Sequence, residues 1–149
     1  MTIKRDSQIK ILTDTYADNQ GPQLSVRAKE RNEHHDRESL IYGEINFDIF
    51  LNILSKHHRK TDKVFCDLGS GAGKAVATAA MSGFFEKVNG VELVKNVYDY
   101  SLKKINLLPE EYIKDCNIII KNADLFDVKL TNADIIFANS TCFSKNLCQ

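Results

Sequence analysis

Residues 63–83, KVFCDLGSGAGKAVATAAMSG, form the segment that most constrains how this chain folds. An apolar run ends at Asp67, and glycines follow at every second position, at Gly69, Gly71 and Gly73. The residues after this loop are small and suit a helix, which Gly83 would end. This order predicts a buried strand, a tight loop whose backbone can approach a ligand closely, and a helix.

The same alternation of short apolar runs and helical segments continues along the chain. It is the pattern of an α/β fold, in which a parallel sheet is flanked by helices. The predicted strands are 63–69, 87–93, 117–126, which runs into a turn at its end, and 133–140. The predicted helices are 45–58, 74–83 and 94–108. The first of these helices is expected to bury one apolar face made of Ile45, Ile49, Phe50, Ile53 and Leu54.

A polar residue stands at or just beyond the carboxyl end of each predicted strand. These residues are Asp67, Glu92, Asp124 and Asn139, in chain order. In open parallel sheets, ligands bind outside the carboxyl ends of the strands. We therefore expect the four side chains to line one rim of the sheet, which is the candidate functional site.

Spacing within the glycine-rich loop distinguishes three kinds of nucleotide site. A phosphate-binding P-loop requires Gly where Leu68 stands and Ser or Thr where Ala75 stands, so this pattern fails twice. A dinucleotide fingerprint requires a third glycine where Lys74 stands, although that pattern tolerates some variation. The spacing D-L-G-x-G-x-G, which begins at Asp67, fits a loop that binds S-adenosylmethionine.

The charges at the strand ends favour the same cofactor. A carboxylate at Asp67 would repel a pyrophosphate, whereas it would attract the sulfonium and ammonium groups of S-adenosylmethionine. Glu92 would accept hydrogen bonds from both ribose hydroxyls, and Asp124 from the adenine amino group. Leu125 or Phe126 would offer apolar or stacking surface to the adenine ring.

Four segments together resemble a known family. They are IYGEINFDIF (41–50), DLGSGAGKAV (67–76), NGVEL (89–93) and ADIIFANSTCFS (133–144). The loop and NGVEL are similar to those of class I S-adenosylmethionine-dependent methyltransferases. With the Tyr-Gly-Glu and FANSTCF elements, the chain resembles the non-SET histone lysine methyltransferases, the disruptor-of-telomeric-silencing family. The resemblance implies a Rossmann-like class I methyltransferase fold.

The resemblance also implies roles for individual residues. Asn139 would act in catalysis at the methyl-transfer site with Tyr42 and Glu44, and Phe143 would wall the channel for the substrate lysine. The residues implied to bind the cofactor are Tyr42, Gly43, Glu44, Asp67, Gly69, Ser70, Gly71, Gly73, Lys74, Glu92, Asp124, Leu125, Phe126 and Asn139. The implied substrate is a lysine in the core of histone H3 within a nucleosome, and the implied location is the nucleus.

Several positions depart from the family pattern. Lys74 replaces a Gln, Ile45 replaces a common Thr, and Ser140 replaces the second Asn of a pair. A full domain of this class has seven strands, so we expect the late strands, five to seven, to be missing from this chain. Two alternatives stay open: a methyltransferase that acts on another protein or a small molecule, and a truncated, inactive module that binds the cofactor.

Composition narrows the range of partners. Lys plus Arg and Asp plus Glu both number 20, so the net charge is zero and direct DNA binding is not expected. No apolar run approaches the roughly 20 residues of a membrane span, and MTIKRDSQIK lacks a signal-peptide core, so an intracellular chain is expected. The four cysteines form no Cys-x-x-Cys pair, and no metal site is predicted.

The distribution of polar residues suggests two regions. Residues 1–40 are polar and are predicted to form an N-terminal helical arm, with a loop at Gly21-Pro22. Residues 41–149 are predicted to form the methyltransferase domain.

Overall fold

A computed structural model of the chain describes residues 2–30, 45–130 and 132–139. Helices and strands alternate from β1 onward, as predicted. In chain order the elements are α1 (Thr2–Thr15), α2 (Gly21–Glu30), α3 (Phe47–His57), β1 (Val64–Leu68), α4 (Lys74–Ser82), β2 (Lys87–Glu92), α5 (Lys95–Ile105), α6 (Glu110–Ile113), β3 (Asn117–Asn122), a 3-10 turn (Leu125–Asp127) and β4 (Ile135–Ala138).

The four strands of the described ranges form one parallel sheet in the order β3-β2-β1-β4. β1 is central and pairs with β2 on one side and with β4 on the other. The predicted α/β fold with a parallel sheet flanked by helices is therefore confirmed. Because all four strands run in the same direction, their carboxyl ends meet at one edge, where the candidate site was expected.

The core lies between the sheet and α4. Phe65 of β1 and Val88 of β2 are fully buried, and seven consecutive residues of α4, from Ala75 to Met81, are buried. Small side chains allow this helix to lie close to the strands, and α1, α3 and α6 pack around it. The chain enters and leaves α4 through Gly73 and Gly83, which both adopt the left-handed conformation.

The predicted apolar face of α3 is wrong in part. Phe50 and Leu54 are buried as expected, together with Leu51, but Ile49 and Ile53 are exposed to 60% and 46%. Leu51 lies on the same side as Phe50 and Leu54, so the buried face is rotated by about one position from the predicted one. Ile49 and Ile53, four residues apart, therefore form an exposed apolar ridge.

The N-terminal residues share the core with the rest of the chain. Leu12 of α1 and Tyr16, just after it, are 1% and 4% exposed and belong to the same cluster as Phe65. Gly21 and Pro22 begin α2, so the predicted loop is wrong there. Proline is tolerated in the first helical turn, where its missing N–H is not needed.

The domain boundary at residue 40 stays a prediction.

Across the described ranges, none of the helices combines the length and the hydropathy that a membrane span requires.

Candidate functional site

The rim at the carboxyl edge of the sheet begins with two buried acids. Asp67 is the penultimate residue of β1 and Glu92 is the last residue of β2. The register pairs Asp67 with Gly90, so Glu92 lies two residues further along the neighbouring strand and on the same face of the sheet. They are 3% and 8% exposed, respectively. Two carboxyl groups are thus held together away from water.

The glycine-rich loop is fastened to the end of β2. Gly69 N and Ser70 N both donate to the Val91 carbonyl, at 2.9 and 2.8 Å, and Gly71 N donates to Glu92 Oε2 at 2.7 Å. Gly69, Gly71 and Gly73 have φ values of 75°, 53° and 80°. Residues with a side chain rarely adopt these φ angles. In the three glycines the angles allow the loop to fold back over the strand ends.

These hydrogen bonds argue against a phosphate site. A phosphate-binding loop presents unused N–H groups to its ligand. Here the N–H groups of Gly69, Ser70 and Gly71 donate to protein oxygens, and Gly73 N donates to the Ser70 carbonyl at 2.8 Å. One of the acceptors is itself a carboxylate, beside which a phosphate would be repelled.

Glu92 is held in place through both carboxylate oxygens. Oε2 accepts from Gly71 N, and Oε1 accepts from Val94 N at 2.8 Å. Burial raises the pKa of Glu92, while these backbone hydrogen bonds act in the opposite direction. Each carboxylate oxygen can accept a second hydrogen bond, so the oriented carboxylate can still take hydroxyl donors from a ligand.

Asp67 differs because it has no such support. Among the described residues, none donates a hydrogen bond to its carboxyl group or lies close as a cation. Burial, and secondarily the charge of Glu92, raises the pKa of Asp67 to about 8. A buried carboxylate without a partner is costly, and a cationic ligand group would remove that cost.

Asp124 and Phe126 complete the rim beside β3. Asp124 lies two residues beyond β3, and its Oδ1 accepts from Phe126 N at 3.0 Å, which caps the 3-10 turn. Leu125 is half-buried, whereas Phe126 is 76% exposed. Such an exposed aromatic ring at the rim can stack on a planar ligand group.

Asn122 is a rim residue that sequence reasoning missed. Its Nδ2 donates to the carbonyls of Glu92 and Leu93, at 2.8 and 2.9 Å, so it joins the ends of β3 and β2. The signal in the sequence was a polar residue at the end of the apolar run NIIIKN, but nothing there indicated its acceptors.

Lys74 and Ser70 point in different directions. Lys74 is the first residue of α4, and its Nζ lies 5.6 Å from the centre of the Phe47 ring and 5.8 Å from that of Tyr16. Tyr16 was not singled out from the sequence. The Ser70 side chain turns inward, so that a Cβ added at Gly90 would lie 3.0 Å from Ser70 Oγ.

The remaining predicted site residues divide into two groups. Asn139 directly follows β4 and is half-buried, so it lies at the same edge as the acids. Tyr42, Gly43, Glu44 and Phe143 lie outside the described residues.

Comparison with known proteins gives one family match. The family model described as histone methylation protein DOT1 matches residues 23–149. No match was found among curated proteins.

Several solved structures are similar to this chain. A protein-L-isoaspartate O-methyltransferase (beta-aspartate methyltransferase) of Plasmodium falciparum, solved with S-adenosyl-L-homocysteine, is 16% identical with a TM-score of 0.46, over 79% of this chain and 72% of that one. The plantazolicin methyltransferases BpumL and BamL, also solved with S-adenosyl-L-homocysteine, are 12% and 19% identical with TM-scores of 0.45 and 0.42. The matches cover 89% and 91% of this chain but only 46% and 47% of those two proteins.

Proposed function

Because this chain belongs to the family of histone methylation protein DOT1, we propose that it transfers a methyl group from S-adenosylmethionine to a lysine of histone H3 in nucleosomes. The cofactor of this family is S-adenosylmethionine. The family match supports a methyltransferase, and the choice of histone lysine as acceptor is the further step of the proposal.

The observation that carries the proposal is the unequal support of two neighbouring acids. Backbone N–H groups hold Glu92 through both oxygens, whereas Asp67 is buried with no donor or cation among the described residues. S-adenosylmethionine has hydroxyl donors on its ribose and two cationic groups on its methionine part. The rim offers an oriented acceptor for the first and an uncompensated carboxylate for the second.

The other rim residues are assigned by their positions. We assign Glu92 to the ribose, Asp124 with Leu125 or Phe126 to the adenine, and Asp67 to the methionine part, with the glycine-rich loop beneath. The loop residues are Gly69, Ser70, Gly71 and Gly73. Lys74 contributes a cation beside the loop. Tyr42 and Glu44 would complete the methionine end.

The chemistry assigned to the protein is mainly alignment. The bound cofactor supplies an electrophilic methyl group, and the acceptor must be a neutral amine. A desolvated lysine releases its proton more readily than a solvated one, so an apolar channel walled by Phe143 favours the reactive form. Asn139 is uncharged and at the rim, where its amide would orient the amine or the cofactor.

A second candidate is methyl transfer to another protein or to a small molecule. The net charge of zero, from 20 basic and 20 acidic residues, favours it, because nucleosome binding rests largely on Lys and Arg contacts to phosphates. An inactive module that binds the cofactor is the third candidate. Both share the cofactor site of the first proposal and differ from it in the step after cofactor binding.

The first test is S-adenosylmethionine binding by titration calorimetry. The wild-type chain should bind, and Asp67→Ala and Glu92→Ala should each abolish or strongly weaken binding while remaining folded by circular dichroism. Glu86→Ala is the matched control. It also removes a carboxylate, but Glu86 is exposed and lies just before β2, at the opposite edge of the sheet. A folded wild-type chain that does not bind the cofactor would refute the proposal.

The second test measures transfer of a labelled methyl group from S-adenosylmethionine. Nucleosomes, free histones and a mixture of other soluble proteins are offered as acceptors, with Asn139→Ala as the catalytic control. Label on histone H3 in nucleosomes supports the first candidate, and the nucleus is then the expected location. Label only on other acceptors supports the second, and cofactor binding without transfer supports the third.

A further inference from the structure

Tyr16 lies beside the rim although it precedes the residues that match the family. The match begins at residue 23, whereas Tyr16 directly follows the residue that ends α1. It is 4% exposed, and its ring lies 5.7 Å from the ring of Phe47. The ammonium group of Lys74 lies over both rings, with its Nζ 5.8 Å from the centre of the Tyr16 ring and 5.6 Å from that of Phe47. Both distances are within the range of a cation–π contact.

The Tyr16 hydroxyl also packs against the end of the glycine-rich loop. A Cβ added at Gly73 would lie 3.5 Å from the Tyr16 hydroxyl oxygen and 3.2 Å from Ser101 Cβ. Gly73 has a φ of 80° and precedes α4 directly, so its conformation sets where the loop ends and where Lys74 begins. Tyr16 therefore contacts both the last loop residue and the side chain of the next residue.

The segment that carries Tyr16 is anchored to α5. Asp18 accepts from the Tyr100 hydroxyl at 2.6 Å and pairs with Lys104 Nζ at 2.9 Å. Lys104, only 7% exposed, also donates to the Thr15 carbonyl at 2.8 Å. The Tyr100 hydrogen bond, followed by that of Lys104, lowers the pKa of Asp18, so this carboxylate stays charged at neutral pH. Contacts on both sides of Tyr16 thus hold its ring in a defined place.

We propose that Tyr16 is a positioning residue of the cofactor site, which acts by holding the ammonium group of Lys74 over its own ring and that of Phe47. This inference rests on the proposed function. The anionic group of S-adenosylmethionine is the carboxylate of its methionine part, and a fixed ammonium group beside the loop suits it. An aromatic pair restricts the flexible lysine chain before the ligand arrives, which lowers the entropy lost on binding.

The test is a double-mutant cycle on cofactor affinity in the full chain. Tyr16→Leu removes the ring, Lys74→Met removes the cation, and the third variant combines them, with S-adenosylmethionine titrated by calorimetry. Tyr16→Leu is expected to weaken binding on the order of 5- to 30-fold. In the Lys74→Met background the same change should have no further effect, because Tyr16 acts through Lys74. Tyr16→Phe keeps the ring and should stay within about twofold of wild type.

Leu12→Ala is the matched control for lost packing. Leu12 is in the same core cluster as Tyr16 but has no aromatic ring to offer Lys74, so this variant should lower the unfolding midpoint without a comparable loss of affinity. Phe47→Leu removes the other ring and can replace Tyr16→Leu in the double-mutant cycle. It tests the inference if Tyr16→Leu does not fold.

Two results would overturn the inference alone, on a wild-type chain that binds the cofactor. One is an additive loss in the double variant, and the other is an equal loss of affinity in Leu12→Ala. Failure of the wild-type chain to bind S-adenosylmethionine would instead overturn the proposed function, and this inference with it.

Discussion

Replacing Asp67 with Asn is expected to stabilise the ligand-free protein, and by an amount that grows with pH. Asp67 is 3% exposed, and no described residue donates to its carboxyl group. Burial first, and the charge of Glu92 second, raises its pKa from 3.8 to about 8. Asn has nearly the same shape and carries no charge, so the variant removes the cost of a buried carboxylate and little else.

The sign is set by proton binding. Between about pH 4 and pH 8, the folded chain holds a proton on Asp67 that the unfolded chain has released, so the free energy of unfolding falls as pH rises. The slope approaches about 1.4 kcal/mol per pH unit. From pH 5 to pH 8, the wild-type chain is expected to lose about 3–4 kcal/mol relative to the variant. Above about pH 9 the difference is constant, because Asp67 is ionised in both states.

Urea unfolding of both proteins at pH 5, 6, 7 and 8, monitored by circular dichroism, measures this difference. Glu86→Gln serves as the control, since Glu86 is an exposed acid paired with Lys63 and should show no comparable trend relative to wild type. A difference between Asp67→Asn and wild type that stays flat across this range would refute the reasoning. So would a variant that is less stable than wild type at pH 8.

Four further predictions concern the rim and the glycine that ends α4. S-adenosylmethionine affinity, measured by calorimetry, should rise by up to about tenfold per pH unit from pH 6 to pH 8, because a cationic ligand binds the ionised form of Asp67. The Asp67→Asn variant should bind weakly and without this rise. Gly90→Ala should cost about 1–3 kcal/mol in urea unfolding, since its Cβ would lie 2.9 Å from Val76 Cγ2. Gly83→Ala should lower the free energy of unfolding by only about 1 kcal/mol, because the added Cβ would meet no atom within 4 Å and only the φ of 74° is unfavourable. Ser70→Ala should be neutral or stabilising by about 1 kcal/mol, because the buried Oγ has no hydrogen-bond partner among the described residues; a clear loss would contradict this.

The strands and the rim could be predicted because their signals are local. The apolar run that ends at Asp67 became β1, and the run that ends at Glu92 became β2. Parallel pairing then brings the strand ends together whatever the detailed packing. The segment 117–126, predicted as a strand that runs into a turn, forms a strand up to Asn122, and the side chain of Asp124 caps the 3-10 turn that follows.

The features that the sequence did not predict depend on contacts between distant segments. The ring of Tyr16 packs against that of Phe47 in α3, and its hydroxyl lies beside Gly73. Leu12 and Tyr16 stand at helical spacing, but nothing in their own segment indicates which distant residues they contact. The exposure of Ile49 on α3 has the same cause. The apolar pattern of this helix allowed either of two adjacent faces to be buried, and packing against other segments selected one.

The glycine-rich loop of this chain holds a carboxylate where related loops in other folds hold a phosphate. Its N–H groups are turned to the end of β2, where Gly71 N binds Glu92 and fixes that acid for hydroxyl donors. The same arrangement leaves no loop N–H bonded to Asp67, so the second acid is stable only when protonated or when a cation lies beside it. Stability of the protein without ligand and affinity for a cationic cofactor therefore oppose each other at Asp67, as is common where function requires a group that destabilises the fold. A change that stabilises the protein without ligand, such as Asp67→Asn, must then weaken cofactor binding.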